Sequence, residues 1–134
     1  MNFSFLTWNI RGLGKVEKVR AIQQLVNASK ARVVFIQESK LETLKPWVQR
    51  RIKTVPSIGS SGGLISVWDS FFGVEGIVTH SRWIAINGAF VLSTLKPVLL
   101  NVYAPNEFSD RREVLIQLTE FIESLEVPVI IWEI

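Results

Sequence analysis

The sequence contains no cysteine. Disulfides, zinc–thiolate centres and thiol nucleophiles are thereby excluded together, and the composition fits a reducing intracellular compartment. With a single histidine, His80, any mechanism that needs two is excluded as well. No apolar run approaches the roughly 18–20 residues that span a bilayer. The segment from Met1 to Trp8 has no basic leader and soon meets Asn9 and Arg11, so a secretory signal is not expected. The expected location is nuclear or cytoplasmic, with no membrane and no disulfide partner.

What is present is a core. Of 134 residues, 48% are hydrophobic and 20% charged, a composition that suits one folded domain. The net charge of +3 hides an asymmetry. Residues 1–55 hold eleven Lys/Arg against three Asp/Glu, and residues 56–134 hold four against nine. Such a split marks either a nucleic-acid-facing end or two solvated faces of different charge.

Phe3–Trp8 reads as a strand ending in the loop Asn9-Ile10-Arg11-Gly12. Val19, Ile22 and Val26, with Leu25 beside them, recur at helical spacing over Lys15–Ala28. Val33-Val34-Phe35-Ile36 suits a strand buried on both faces. This order predicts a right-handed βαβ unit with parallel strands. Leu41, Leu44, Val48 and Ile52 predict a second helix, its regular part starting near Lys45 because Pro46 suits only a first turn. Gly59-Ser60-Ser61-Gly62-Gly63 predicts a flexible turn. Five short runs follow: Leu64–Trp68, Phe72–Thr79, Arg82–Asn87, Ala89–Leu95 and Val98–Tyr103. Their tight spacing predicts an antiparallel meander, with Asn87-Gly88 as a hairpin turn. Asp110 and Glu113 form a capping-box pattern before a helix reaching about Leu125, and Val129–Trp132 reads as a last strand. Together these elements suit two sheets packed face to face, each covered outside by helices.

Gly12-Leu13-Gly14-Lys15 is not a phosphate loop. A Walker motif needs a glycine earlier and Ser or Thr where Val16 stands, and a dinucleotide fingerprint needs a small residue at Glu17. Glu38 is more informative. It follows a buried strand at its carboxyl end, where α/β folds place ligands, and a carboxylate there needs water, a cation or a metal. The plainer alternative is an edge glutamate paired with Lys40. Asn9 ends the neighbouring strand, so an amide oxygen and a carboxylate side by side would suit a hard cation such as Mg²⁺. Taken alone, Asn9 is a turn residue. Tyr103 at another strand end reads first as a half-buried phenol with a wet tip, His80 as a solvated turn histidine, and the five tryptophans as packing rather than a base-stacking platform.

Four segments, taken in order, resemble one family. Thr7-Trp8-Asn9-Ile10-Arg11-Gly12 is similar to its first-strand motif, and Val34-Phe35-Ile36-Gln37-Glu38-Ser39-Lys40-Leu41 to its metal-glutamate motif. Ser61-Gly62-Gly63-Leu64 is similar to its central turn, and Asn101-Val102-Tyr103-Ala104-Pro105 to its tyrosine motif. The family is the DNase-I-like endonuclease/exonuclease/phosphatase superfamily. The wording WNIRGLG and QESKLE is especially similar to the endonuclease domain of plant LINE-type retrotransposons. The resemblance implies a four-layer α/β/β/α sandwich and Mg²⁺-dependent phosphodiester hydrolysis. Asn9 and Glu38 would be the metal-side residues and Tyr103 the phosphate-contacting phenol of the catalytic set, with DNA as a partner.

Hydrolysis of a phosphodiester also needs a base to activate water. In the family it comes from a Gly-Asp-Phe-Asn motif after the next strand and a late Asp-His pair. Here Val129-Ile130-Ile131 runs into Trp132-Glu133-Ile134, and His80 lies in the wrong segment. Residues 1–134 are therefore expected to form one incomplete domain, partial at its C-terminal side, inactive, marginally stable and prone to aggregate. The alternatives are a non-catalytic nucleic-acid-binding module using the basic first third, and a relative acting on a phosphoinositide or another small phosphate ester. Oligomeric state is not legible in the sequence.

Overall fold

In the computed structural model, which describes residues 4–12, 16–40, 51–57, 62–91 and 93–132, chain order is strand–helix–strand, then five strands, then helix–strand. The elements are β1 (Ser4–Asn9), α1 (Val16–Ser29), β2 (Ala31–Gln37), β3 (Arg51–Val55), β4 (Leu64–Trp68), β5 (Phe72–His80), β6 (Trp83–Phe90), β7 (Val98–Val102), α2 (Phe108–Glu123) and β8 (Val129–Trp132). They form two four-stranded sheets, ordered β1-β2-β4-β3 and β5-β6-β7-β8.

Side-chain alternation makes the layers. On β2, Val33 and Phe35 face the second sheet and pack with Leu64, Phe72, Ile84, Ile86 and Leu99. Val34 and Ile36 point outward and are covered by Ile22 of α1 together with Ile65 and Val67. On the far side, Leu118 of α2 covers Trp83, Ala85, Leu100 and Val102, joined by Phe121, Ile122 and Leu125. Both faces of β2, β4 and β7 are therefore buried, which explains their unbroken apolar runs. The four layers run α1, first sheet, second sheet, α2.

β1 and β2 pair in parallel, as the strand–helix–strand order predicts, and β7 and β8 do the same around α2. The expected helix through Ile52 is corrected. Residues 41–50 lie outside the described residues, but Arg51–Val55 is an edge strand antiparallel to β4, with Ile52 packing outward. A helical repeat of apolar positions there overlaps a short two-residue alternation, which won through pairing with β4.

The single meander is corrected too. β4 joins the first sheet between β2 and β3, and only β5, β6 and β7 run consecutively. Asn87-Gly88 is not a turn, because β6 continues through it to Phe90 and the chain leaves at Val91. The pair lies opposite a register shift between Val74 and Gly76. A Cβ at Gly76 would sit 2.6 Å from the Asn87 side-chain oxygen, and one at Gly88 would overlap the Gly73 carbonyl. The glycines are there for close strand approach, the other meaning of glycine in a strand. Nor is there a capping box: α2 begins at Phe108, its N-cap is Glu107 without a side-chain cap, and it ends at Glu123.

Candidate metal and phosphate site

All four parallel-paired strands deliver their carboxyl ends to one end of the sandwich. Asn9 lies opposite Gln37 in the β1–β2 register, and Ile10 N donates to Gln37 O at 3.2 Å. Glu38 follows directly, with its backbone oxygen accepting from Gly12 N at 2.7 Å. Asn9 and Glu38 thus stand on adjacent strand ends, half-buried, as expected. The Asn9 Oδ1 also accepts from Arg11 N at 3.3 Å, so the plainer turn role is real and leaves the second lone pair of that oxygen.

The backbone here is bent into a conformation that side chains other than glycine rarely take. Glu38, Lys40 and Arg11 have φ of 53°, 54° and 51°, and Gly12, Gly62 and Gly63 are also at positive φ. Each non-glycine instance costs of order 1–3 kcal/mol, and such strain persists where the surroundings enforce it. Ser39 N and Lys40 N donate to Gly63 O and Gly62 O at 3.1 and 2.8 Å, and Lys18 of α1 donates to the carbonyls of Ile10 and Gly12 at 3.2 and 3.1 Å. For Glu38 the positive φ ends the alternation of the strand. No described residue forms an ion pair with its carboxylate, so the expected alternative of a Lys40 pair is not realised among the described residues.

Tyr103 follows β7 on the inner face, and its ring is buried at 6% exposure. A Cβ at Gly62 would lie 3.5 Å from that ring and 3.4 Å from the Arg82 guanidinium. Arg82 lies 5.4 Å over the ring, and its backbone oxygen accepts from Tyr103 N at 2.8 Å. Sequence reading passed over Arg82. Its signal was weak: one basic residue before a strand in the acidic part of the chain. Among the described residues it has no acidic partner, and it shares with Tyr103 the contact to Gly62, whose carbonyl accepts from Lys40 N two residues after Glu38.

Beneath these strand ends lies a buried polar network, also unassigned from the sequence. Gln37 Nε2 donates to Asn101 Oδ1 at 2.9 Å and to Thr7 Oγ1 at 3.0 Å. Asn101 Nδ2 donates to Ile65 O at 3.0 Å and Ser66 Oγ at 3.1 Å. Gln37 Oε1 is buried without a partner among the described residues. A group left so costs about 1–3 kcal/mol.

His80 closes β5 rather than sitting in a solvated turn. Its ring stacks on Trp83 at 3.7 Å, and Nδ1 accepts from Arg82 N at 3.1 Å. Burial lowers its pKa, a hydrogen bond with Gln117 opposes this, and the Arg82 charge lowers it further. Trp68 and Trp83 are core residues, as expected, and Trp47 lies outside the described residues. The basic first third is divided. Arg11, Lys18 and Lys40 lie at this end, while Arg32, paired with Asp69 at 3.3 Å, and Arg51, opposite Trp68, lie at the other.

The donor set fits a hard cation. Asn9 and Glu38 offer oxygen only, and no group of three or more carboxylate or histidine side chains occurs among the described residues. One or two protein oxygens, with the remaining positions left to water and phosphate, is how Mg²⁺ is commonly held. No helix among the described residues is long and apolar enough to cross a membrane.

No protein-family model matches the sequence, and no curated protein matches it. Solved structures do. The chain is similar to the AP endonuclease LMAP from Leishmania major (18% identity, TM-score 0.64, covering 91% of this chain and 46% of that one). It is similar to an AP endonuclease from Archaeoglobus fulgidus (13%, 0.66, covering 89% and 51%). It is also similar to D. rerio TDP2 complexed with single strand DNA product (18%, 0.62, covering 96% and 58%). The chain spans about half the length of these proteins. Two face-to-face sheets, a helix on each outer face and these superpositions give one conclusion: the chain has the DNase-I-like endonuclease/exonuclease/phosphatase fold.

Proposed function

We propose that residues 1–134 form the metal- and phosphate-holding part of a nuclease domain of the retrotransposon type, which binds nucleic acid but does not turn it over by itself. The observation that supports this is that Asn9 and Glu38 close adjacent strands of the first sheet, while Tyr103 and Arg82 of the second pack against Gly62, whose carbonyl accepts from Lys40 N at 2.8 Å. Asn9 and Glu38 would hold Mg²⁺, which when bound supplies charge neutralisation at a phosphate oxygen. Arg82 and Tyr103 would grip the phosphate from the other side, the guanidinium by charge-assisted hydrogen bonds and the phenol by its O–H. Packing of the phenol ring against Gly62 and under Arg82 fixes both groups before the ligand arrives.

A base is missing from this set. The ring of His80 is stacked on Trp83, its Nδ1 is occupied by the Arg82 amide, and its other partner is Gln117 of α2. A histidine held in this way has no free nitrogen for deprotonating water. Binding without turnover is the outcome. The test is nicking of supercoiled plasmid by the purified chain with Mg²⁺, alongside anisotropy titration of a labelled single-stranded oligodeoxynucleotide. Binding that Glu38→Ala deprives of its Mg²⁺ dependence, with no nicking, is expected. Nicking that Glu38→Ala abolishes would show that the chain is a complete catalyst.

A second reading is favoured by Arg11, Lys18 and Lys40 gathering at the same end. The chain would then bind nucleic acid by charge alone. Affinity that falls steeply with salt and ignores Mg²⁺ distinguishes it.

A further inference from the structure

Three of the four proposed ligand-holding residues, all but Arg82, have a member of the buried network one or two positions away. Thr7 is two residues before Asn9 on the same strand face, Gln37 immediately precedes Glu38, and Asn101 is two residues before Tyr103 on the same face. The Gln37–Asn101 hydrogen bond crosses between sheets, at 2.9 Å, with the two residues 1% and 0% exposed. Its direction is fixed. Asn101 Nδ2 is committed to Ile65 O and Ser66 Oγ, so Oδ1 faces Gln37, whose Nε2 must be the donor. That leaves Gln37 Oε1 without a partner among the described residues, a sacrifice that packing alone does not call for.

The bonds from Asn101 Nδ2 to Ile65 O and Ser66 Oγ cross the same gap, and around them the sheets meet through apolar side chains such as Phe35, Leu64, Ile84 and Leu99. Such contacts are non-directional and tolerate a small slide of one sheet over the other. A hydrogen bond that weakens steeply with distance and angle does not. We propose that Gln37 and Asn101 are positioning residues, whose buried amide-to-amide bond sets the gap between the Asn9/Glu38 side of the site and the Tyr103/Arg82 side. This rests on the metal- and phosphate-holding reading above. A phosphate bridging the two sides registers the gap, whereas a metal ion on Asn9 and Glu38 alone does not, because both belong to the first sheet.

The test uses Mn²⁺ as the probe ion, followed by its electron paramagnetic resonance signal, and a short labelled single-stranded oligodeoxynucleotide followed by anisotropy. In the unmodified chain Mn²⁺ should tighten oligodeoxynucleotide binding by about tenfold, within the usual range of coupling between sites. Gln37→Met combined with Asn101→Leu replaces both amides by apolar groups of similar size, so that neither is left buried without the other. This variant should keep its Mn²⁺ affinity and its circular dichroism spectrum while the tenfold coupling falls to about onefold. A merely structural role would lower the melting temperature and leave the coupling intact. Thr7→Val is the milder companion, removing only one acceptor of Gln37, and should reduce the coupling about two- to threefold if the network positions the site. Coupling unchanged in every variant that folds overturns the proposal and leaves the metal-holding reading standing. Absence of Mn²⁺ binding or of coupling in the unmodified chain overturns that reading, and this proposal with it.

Discussion

At one end of the sandwich Phe5, Phe71 and Phe72 gather around Phe90 with ring centroids 5.8, 6.0 and 4.8 Å away. The charge nearest them, Arg32, is paired with Asp69 and lies 4.4 Å over the Phe71 ring. At the other end Glu38, Arg82 and Lys40 have no ion-pair partner among the described residues, and three side-chain-bearing residues are held at positive φ. The same two sheets thus present an end where Arg32 is paired within the fold, although Lys30 has a φ of 54° and Trp68 Nε1 is buried without a partner among the described residues, and an end where three charges are left unpaired. Matched contacts stabilise a fold, and unmatched ones await a ligand, so the comparison separates what holds the molecule together from what it is poised to hold.

The largest test of that separation is Phe72→Ala at the matched end. Phe72 is 1% exposed, and its loss should cost about 3–5 kcal/mol of unfolding free energy in urea titrations. Oligodeoxynucleotide affinity per folded molecule should not change. A loss of affinity beyond the loss of folded protein would mean that the ends are not independent. The converse is Arg82→Ala. Losing the cation over the Tyr103 ring should cost only about 0.5–1 kcal/mol of stability. Losing charge-assisted bonds to phosphate, worth about 1.5–3 kcal/mol, should weaken binding by about tenfold or more.

Smaller again is Glu38→Gly. Glycine relieves a positive φ that costs a side chain about 1–2 kcal/mol and returns part of the gain as unfolded-chain entropy. The melting temperature should rise slightly while Mn²⁺ binding disappears. A fall in melting temperature would show that the Glu38 side chain serves packing. The smallest effect should be in pH. The pKa of His80 is lowered on folding, chiefly by burial, so the unfolded chain binds its proton more readily. Its contribution to stability is whole above the unfolded value of about 6.5 and is lost as pH falls from there through the folded value. His80→Gln should flatten the dependence of melting temperature on pH across that window. An unaltered slope would assign it to other groups.

Legibility followed the range of the interactions. The β1–α1–β2 unit, the inward-facing stripe Val114, Leu118, Phe121 and Ile122 of α2, and β8 were readable because local periodicity sets them. Ile52 and Asn87-Gly88 were misread because each has two local meanings, and only pairing with β4 or β5 selects between them. Of the proposed site, the positions of Asn9, Glu38 and Tyr103 at the ends of apolar strands were legible. Arg82, Gln37 and Asn101 were not, since their significance lies in partners 21, 64 and 64 residues away in the chain.

The sequence by itself determined the parallel opening unit, the apolar strands buried on both faces and the absence of thiol chemistry, because these depend on composition and on side-chain periods of a few residues. Only the tertiary structure decided which strands share a sheet, that Arg82 lies over the Tyr103 ring, and that two buried amides join the sheets. Those outcomes depend on contacts between segments far apart in the chain, and no local pattern encodes a distance of that kind.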